Sequence, residues 1–455
     1  MPDVDLAIEG GLVVGTSGRR RANVLVHDGR ILAVGQERAD ARVTIDASGL
    51  FVLPGGVDTH VHLMDPGAPD REDFISGTSA AAASGVTTVL EHTHGHPVRT
   101  VDDLTAKRAH LENRSLVDYG LAAHAWPTSE QDVRGLWSAG VAFFKLFTCT
   151  THGVPGHSAA QTHQHLSKAS ACGAPTLMHC EDESLTEESE RVLRAAQRDD
   201  PGIIPEWRSV EAELVAVSVA SLLVRLTGAT ATIAHVSNPA AAGIVAEQRS
   251  RGASLAVESC PQYFLLRESE IHDCGALRKF TPPARARTDH DEARMWSLLR
   301  EGTLTHISTD HAPSTKAQKL SGDIWSAHFG LPGLDSTMSL LLDAASRGEL
   351  ALEDVVRVYA TFPARWYGLA PRKGSLAPGA DADLVLVDLD RKRVLRDEDV
   401  LSKAGWTPYA GRKVTGMVVQ TYLRGELIAE DGKPLDKRRG TFVAGGGGQR
   451  AADRA

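Results

Sequence analysis

The chain has 455 residues, 42% of them apolar, and a formal net charge of −9 with acidic and basic side chains mixed along its length. That is ample for a large core and too long for one ordinary domain. The charge pattern offers no polyanion-binding surface, so no nucleic-acid partner is expected.

The N-terminal MPDVDLAIEG is acidic and lacks an apolar signal core, and no run of about 18 apolar residues occurs. Neither export nor a membrane span is expected. The cysteines (Cys149, Cys172, Cys180, Cys260 and Cys274) are odd in number and form no CxxC. Free thiols in a cytoplasmic protein fit best, and any metal must be held by nitrogen and oxygen.

Residues 4–50 read as short alternating strands separated by turn signals such as GTSG and DGR, and residues 375–445 read the same way. The two ends are expected to pair into one small β-sandwich, assigned to 1–52 and 366–443. Between them, over 53–365, strand-length apolar runs alternate with helix-forming stretches. Eight strand candidates stand out, at 52–62, 86–92, 118–126, 141–148, 175–182, 230–237, 253–259 and 305–310. Eight strand–helix units suggest an α/β fold, a (β/α)₈ TIM-like barrel. No GxGxxG favours a doubly wound sheet instead. The Gly-rich tail, 444–455, is expected to be flexible or to wrap a neighbouring subunit.

Polar residues end these strand candidates: His60 and His62 the first, His179 the fifth, His235 the sixth and Asp310 the eighth, with Lys145 inside the fourth. In such a barrel the C-terminal strand ends form the active-site mouth. Residues i and i+2 of a strand share a face, so His60 and His62 can reach one cation. Lys145 lies within Phe-Phe-Lys-Leu-Phe, where an unpaired ammonium is costly to bury. It either pairs or snorkels to the rim, or it is a neutral amine that carries CO₂ as a bridging carbamate. Singly, His179 and His235 read as core histidines and Asp310 as a helix cap. Together and in barrel order, the six read as a metal site.

The motifs VDTHVHLMDPG, FKLFT, MHCED, AHVSNP, ESCPQYF, FTPPAR and STDHAP resemble the cyclic amidohydrolases: allantoinases, hydantoinases, dihydropyrimidinases and dihydroorotases. The resemblance spans nearly the whole chain, and 258–283 and 322–338 look most similar to allantoinase, with L-hydantoinase-like enzymes close behind. It implies two divalent metals, zinc in most of the family. His60, His62, Lys145 and Asp310 would bind one, and carboxylated Lys145, His179 and His235 the other. It implies a bridging hydroxide that attacks a ring carbonyl, with Asp310 as the catalytic proton carrier. Met64, Thr150, Ser259, Thr281, His311 and Pro332 are the implied substrate contacts. The partner is a small cyclic amide, and the chain is expected to be a homo-oligomer, tetramer or dimer.

The departures bear on substrate. Dihydroorotases carry an arginine where this chain has Met64, and a thioether cannot pair with a carboxylate, which argues against dihydroorotate. D-hydantoinases and dihydropyrimidinases carry a tyrosine where Thr150 stands. The turn after the second strand holds His92, His94 and His96, which read as a polar loop or as substrate or metal ligands. His152, His157, His163 and His165 lie after the fourth strand, in a segment read as a lid with mostly solvated histidines. Another cyclic-amide hydrolase, or a non-catalytic scaffold related to dihydropyrimidinase, are the alternatives. The filled ligand positions argue against the scaffold.

Overall fold

The computed structural model describes residues 4–127 and 131–452. Residues 1–3 of the acidic N-terminus and 453–455 of the tail lie outside the described residues.

The fold is a (β/α)₈ barrel with a β-domain built from both ends of the chain. Strands Gly56–Val61, Val86–Glu91 and Asp118–Leu121 pair in parallel. A second run of parallel strands follows: Ala123–His124, Phe144–Phe147, Thr176–His179, Thr230–Ile233, Ser254–Ser259 and His306–Ile307. The third strand of the barrel steps from one run to the other at Ala122, whose N–H donates to Glu91 while Ala123 donates to Phe143. The ring closes where Val61 bridges His311 in parallel and His62 N–H donates to the His311 carbonyl at 2.8 Å. Closure removes both sheet edges, and the strands carry continuous apolar runs because both faces are covered.

The connecting helices start and stop where their sequence says. Asp73 caps Phe74–Ser84 and left-handed Gly85 ends it. Asn238 caps Pro239–Ser250, with the proline at the start of the helix where its missing N–H costs nothing.

The candidate strand at 52–62 is two strands. Phe51–Pro54 pairs antiparallel with Leu384–Val387 in the seven-stranded terminal sheet, and Gly56–Val61 opens the barrel. Pro54 cannot continue a central ladder, and at Gly55 a Cβ would lie 2.3 Å from the Thr87 hydroxyl. A four-stranded sheet of Val4–Glu9, Asn23–His27, Arg30–Gly35 and Ala41–Asp46 completes the β-domain. Ile8, Val24, Val26, Val52, Leu384 and Leu386 fill the space between the sheets.

Two expectations about the C-terminal end need correction. The segment after about 440 is not sandwich: Val443 N–H donates to Tyr119 and Gly440 N–H to Ser115, at the barrel. Nor is the tail free, since Gly446–Ala452 is a helix against Val133–Ala139. Its glycines permit the approach. A Cβ on Gly447 would lie 2.4 Å from the Trp137 carbonyl, and one on Gly448 2.7 Å from Gly140. Glycine here marks close packing, not looseness.

Candidate metal centre

The six residues named above come together at the C-terminal mouth of the barrel. His60 Nε2 lies 3.1 Å and His62 Nε2 3.4 Å from Asp310 Oδ1. Lys145 Nζ is 3.3 Å from His60 Nε2. On the other side His179 Nδ1 faces His235 Nε2 at 2.9 Å. Lys145 and the four imidazoles are all nearly inaccessible. His235 and Asp310 sit at positive φ, 38° and 48°, as does Met64 at 57°. Backbone held in this region by non-glycine residues costs about 1–3 kcal/mol each and concentrates at functional sites.

Three of the four imidazoles are oriented by a partner on one ring nitrogen, and His235 Nδ1 has none among the described residues. His60 Nδ1 meets Glu258 Oε1 at 2.7 Å, and His62 Nδ1 meets the His92 carbonyl at 2.5 Å. His179 Nε2 meets Glu181 Oε2 at 2.7 Å. With Nδ1 committed, Nε2 of His60 and His62 presents a lone pair to the centre, the arrangement that metal-binding histidines use. Burial pushes His62 down to about 4 and His235 well down, so both are neutral at ordinary pH. Tetrahedral zinc with bonds of 2.0–2.1 Å separates its ligand atoms by about 3.3 Å. The observed spacings bracket that value, and the donors are imidazole, carboxylate and one amine, so the residues fit divalent ions of the zinc type.

Lys145 neither pairs nor snorkels. Among the described residues no carboxylate oxygen lies within ion-pair distance of its Nζ, and its side chain is buried over the Phe147 ring. Burial lowers its amine to about 8, with Asp310 and Glu258 pulling the other way. Burial would raise the Asp310 carboxyl, but His60, His62 and Lys145 outweigh it and hold it below the usual range.

The residues expected to contact substrate are less uniform. Ser259 ends its strand with its hydroxyl on the Val236 carbonyl, and the Thr281 hydroxyl donates to Glu181 at 2.6 Å. Met64 and Pro332 are buried beside the mouth loops. Thr150 is exposed and its hydroxyl donates to Glu183. His311 is engaged on both ring nitrogens, Nδ1 accepting from Gly333 and Leu334 and Nε2 meeting Glu72 at 3.1 Å.

The histidine turn is not a solvated loop. His92 is buried and stands 4.4 Å from His62 between ring centroids, and His94 is half-buried. Only His96 is exposed. In the segment read as a lid, His163 is solvated, but His157 and His165 are buried. His157 lies against the Phe147 carbonyl and His165 faces Thr176. His152 stacks on His94 at 4.6 Å, which brings this segment over the mouth.

Several site residues had no signal of their own in the sequence. Asp58 accepts from the N–H groups of His60 and Thr309 and from the Tyr359 hydroxyl, and burial raises it to about 6. Burial would raise Glu181 as well, but Arg208, His179 and Thr281 together bring it down to about 2. The i+2 alternation of VDTHVH and MHCE, which places Asp58 behind His60 and Glu181 beside His179, was the only available cue.

The Amidohydrolase family profile matches residues 51–428. This chain belongs to the amidohydrolase family. It is 34% identical to an allantoinase of Solibacter usitatus (strain Ellin6076), with 93% of each chain covered. It is 35% identical to an allantoinase of Rubrobacter xylanophilus, covering 97% of this chain and 98% of that one. Among solved structures, the L-hydantoinase (dihydropyrimidinase) of Arthrobacter aurescens superposes with a TM-score of 0.92 at 30% identity, covering 97% of this amidohydrolase and 100% of the neighbour.

Proposed function

We propose that this amidohydrolase is a metal-dependent enzyme that opens a ring amide C–N bond of a cyclic ureide or imide, of allantoinase or hydantoinase type. The observation that carries the reading is the convergence of His60, His62, Lys145, His179, His235 and Asp310 at spacings that suit two ions. The allantoinase and L-hydantoinase relatives support the substrate class.

His60, His62 and Asp310 would hold one ion and His179 and His235 the other, with Lys145 between them. When bound, a pair of divalent ions, zinc in this reading, supplies a nucleophile near neutral pH and polarises the scissile carbonyl. An amine at about 8 keeps a useful neutral fraction at neutral pH. That amine would add to CO₂, its N–C bond forming as one C–O π bond opens and one proton leaves, and the resulting carbamate would supply a two-oxygen anion as ligand. Glu258 and the His92 carbonyl keep His60 and His62 in the tautomer that leaves Nε2 free. Asp310, ionised, would take a proton on the carboxylate oxygen not turned to His60 and His62 and return it to the leaving ring nitrogen. His311 supports the mouth through Glu72 and the Gly333–Leu334 backbone, so its role toward substrate is indirect. Met64, Thr150, Ser259, Thr281 and Pro332 are taken as the substrate contacts in this reading. We take the chain to act in the cytoplasm, its cysteines as free thiols, as a tetramer or dimer that light scattering would size.

The test is a panel assayed with metal-replete enzyme: allantoin, hydantoins, dihydrouracil, dihydroorotate and cyclic imides. The likeness to an L-hydantoinase (dihydropyrimidinase) makes dihydrouracil the second arm. Ring opening of a ureide or imide, lost on chelation and restored by divalent ion, is the expected result. A protein with no stoichiometric divalent ion and activity that survives chelation would contradict the reading, as would dihydroorotate as the best substrate.

A further inference from the structure

A second group of imidazoles stands beside the six residues, and the proposed chemistry does not use it. His92 follows the second barrel strand, His94 lies two residues on, and His124 ends the third strand. One ring nitrogen from each lies within 4.8 Å of the others. His94 Nδ1 and His124 Nε2 are 3.3 Å apart, the separation of about 3.3 Å that tetrahedral zinc imposes on ligands at 2.0–2.1 Å.

A hydrogen-bonded His94–His124 pair is the simpler account of that distance. It leaves His92 unexplained, because both of its ring nitrogens lack a hydrogen-bond partner although the side chain is buried, and His124 Nδ1 is likewise unpartnered. Buried polar atoms without partners call for a reason, an unseen ion among them. The carboxylate next to His92 in the chain, Glu91, is committed to Lys107 and to the Thr93 hydroxyl, and among the described residues no carboxylate joins the group. The available donors are therefore all imidazole, which selects zinc, copper or nickel over magnesium or calcium. Half-buried His94, stacked under His152, gives such an ion a way in from the mouth.

We propose that His92, His94 and His124 form a third cation site for a late first-row divalent ion, adjoining the six-residue centre, whose His60 and His62 also group with His92, and with a coordination position left open. The proposal stands on its own geometry and does not require the two-ion reading.

The test is equilibrium dialysis of the full chain against Zn²⁺, with bound metal counted per chain by mass spectrometry. Wild type, His94→Ala, Lys145→Ala and the double variant are compared, and Co²⁺ reloading reports tetrahedral sites by visible absorption. His94→Ala is expected to hold one ion fewer than wild type, and the double variant one fewer than Lys145→Ala. Equal metal content in wild type and His94→Ala would overturn the third site. If Lys145→Ala holds as much as wild type, the two-ion reading fails, while the His94 comparisons still decide this one. His124→Ala, with metal-free melting compared to wild type, guards against a folding artefact.

Discussion

Among the five buried lysines, Lys145 and Lys373 are held in opposite ways. Lys145, at the barrel mouth, faces imidazoles and an aromatic ring, has no carboxylate within ion-pair distance among the described residues, and is pulled down to about 8 by burial. Lys373, at the other end of the barrel, meets Asp118, Asp381 and Asp383. Burial would lower it too, but those three carboxylates push it well up. Asp118 begins the third barrel strand, and Asp381 and Asp383 lead into Leu384–Val394, so Lys373 fastens the β-domain to the barrel floor. A matched buried charge holds elements together. Lys279 and Lys319, buried without a carboxylate, donate instead to backbone carbonyls, whereas Lys145 has only an imidazole nitrogen and an aromatic ring, which points to a missing partner or a chemical use.

The comparison can be broken at either lysine. Lys145→Ala should lose metal and activity together, by roughly 10³-fold or more if it removes several kcal/mol of metal-assisted stabilisation. Its melting temperature without metal should scarcely fall, since no ion pair is lost. Lys373→Ala should do the reverse. Asp118 would keep Arg424 and Asp381 would keep Arg372, but buried Asp383 would lose its cation, and that should cost about 3–5 kcal/mol in denaturant unfolding, with metal stoichiometry retained in the folded fraction. Loss of metal from Lys373→Ala would erase the distinction.

Smaller effects sharpen the contrast. Glu258→Gln keeps a polar group behind His60 but no longer fixes it with a charge. Metal affinity should drop about 10–100-fold by competition titration, with little change in apo stability. Gly447→Ala should cost about 1–2 kcal/mol through overpacking on Trp137 and leave kcat unchanged. A neutral result in thermal melts would mean that the terminal helix is not held where the glycines place it.

The sequence carried the strands and the residues at their ends, because periodicity and strand-end position are local signals. His60, His62, His179, His235 and Asp310 were legible for that reason. What lay behind them was not. Glu258 and Glu181 sit in ordinary strand and loop sequence, and their roles come from which neighbours the barrel brings across. Depth was the other failure. His92 and His157 read as loop polarity, yet both are buried, and His165 is buried where the helix Ala159–Cys172 packs on the barrel at Thr176 and Phe144. The Gly-rich tail misled in the same way, since composition says how freely a chain can bend but not what it lies against.

The central claim is that Lys145 is left unmatched because it is built to take up CO₂ and join a metal centre. Carbon-13 NMR of the metal-replete protein in ¹³C-bicarbonate tests it most directly. The account predicts one slowly exchanging carbamate carbon per chain, present with bound divalent ion and absent from Lys145→Ala. A spectrum without that signal in metal-loaded wild type, or one unchanged in Lys145→Ala, would contradict it.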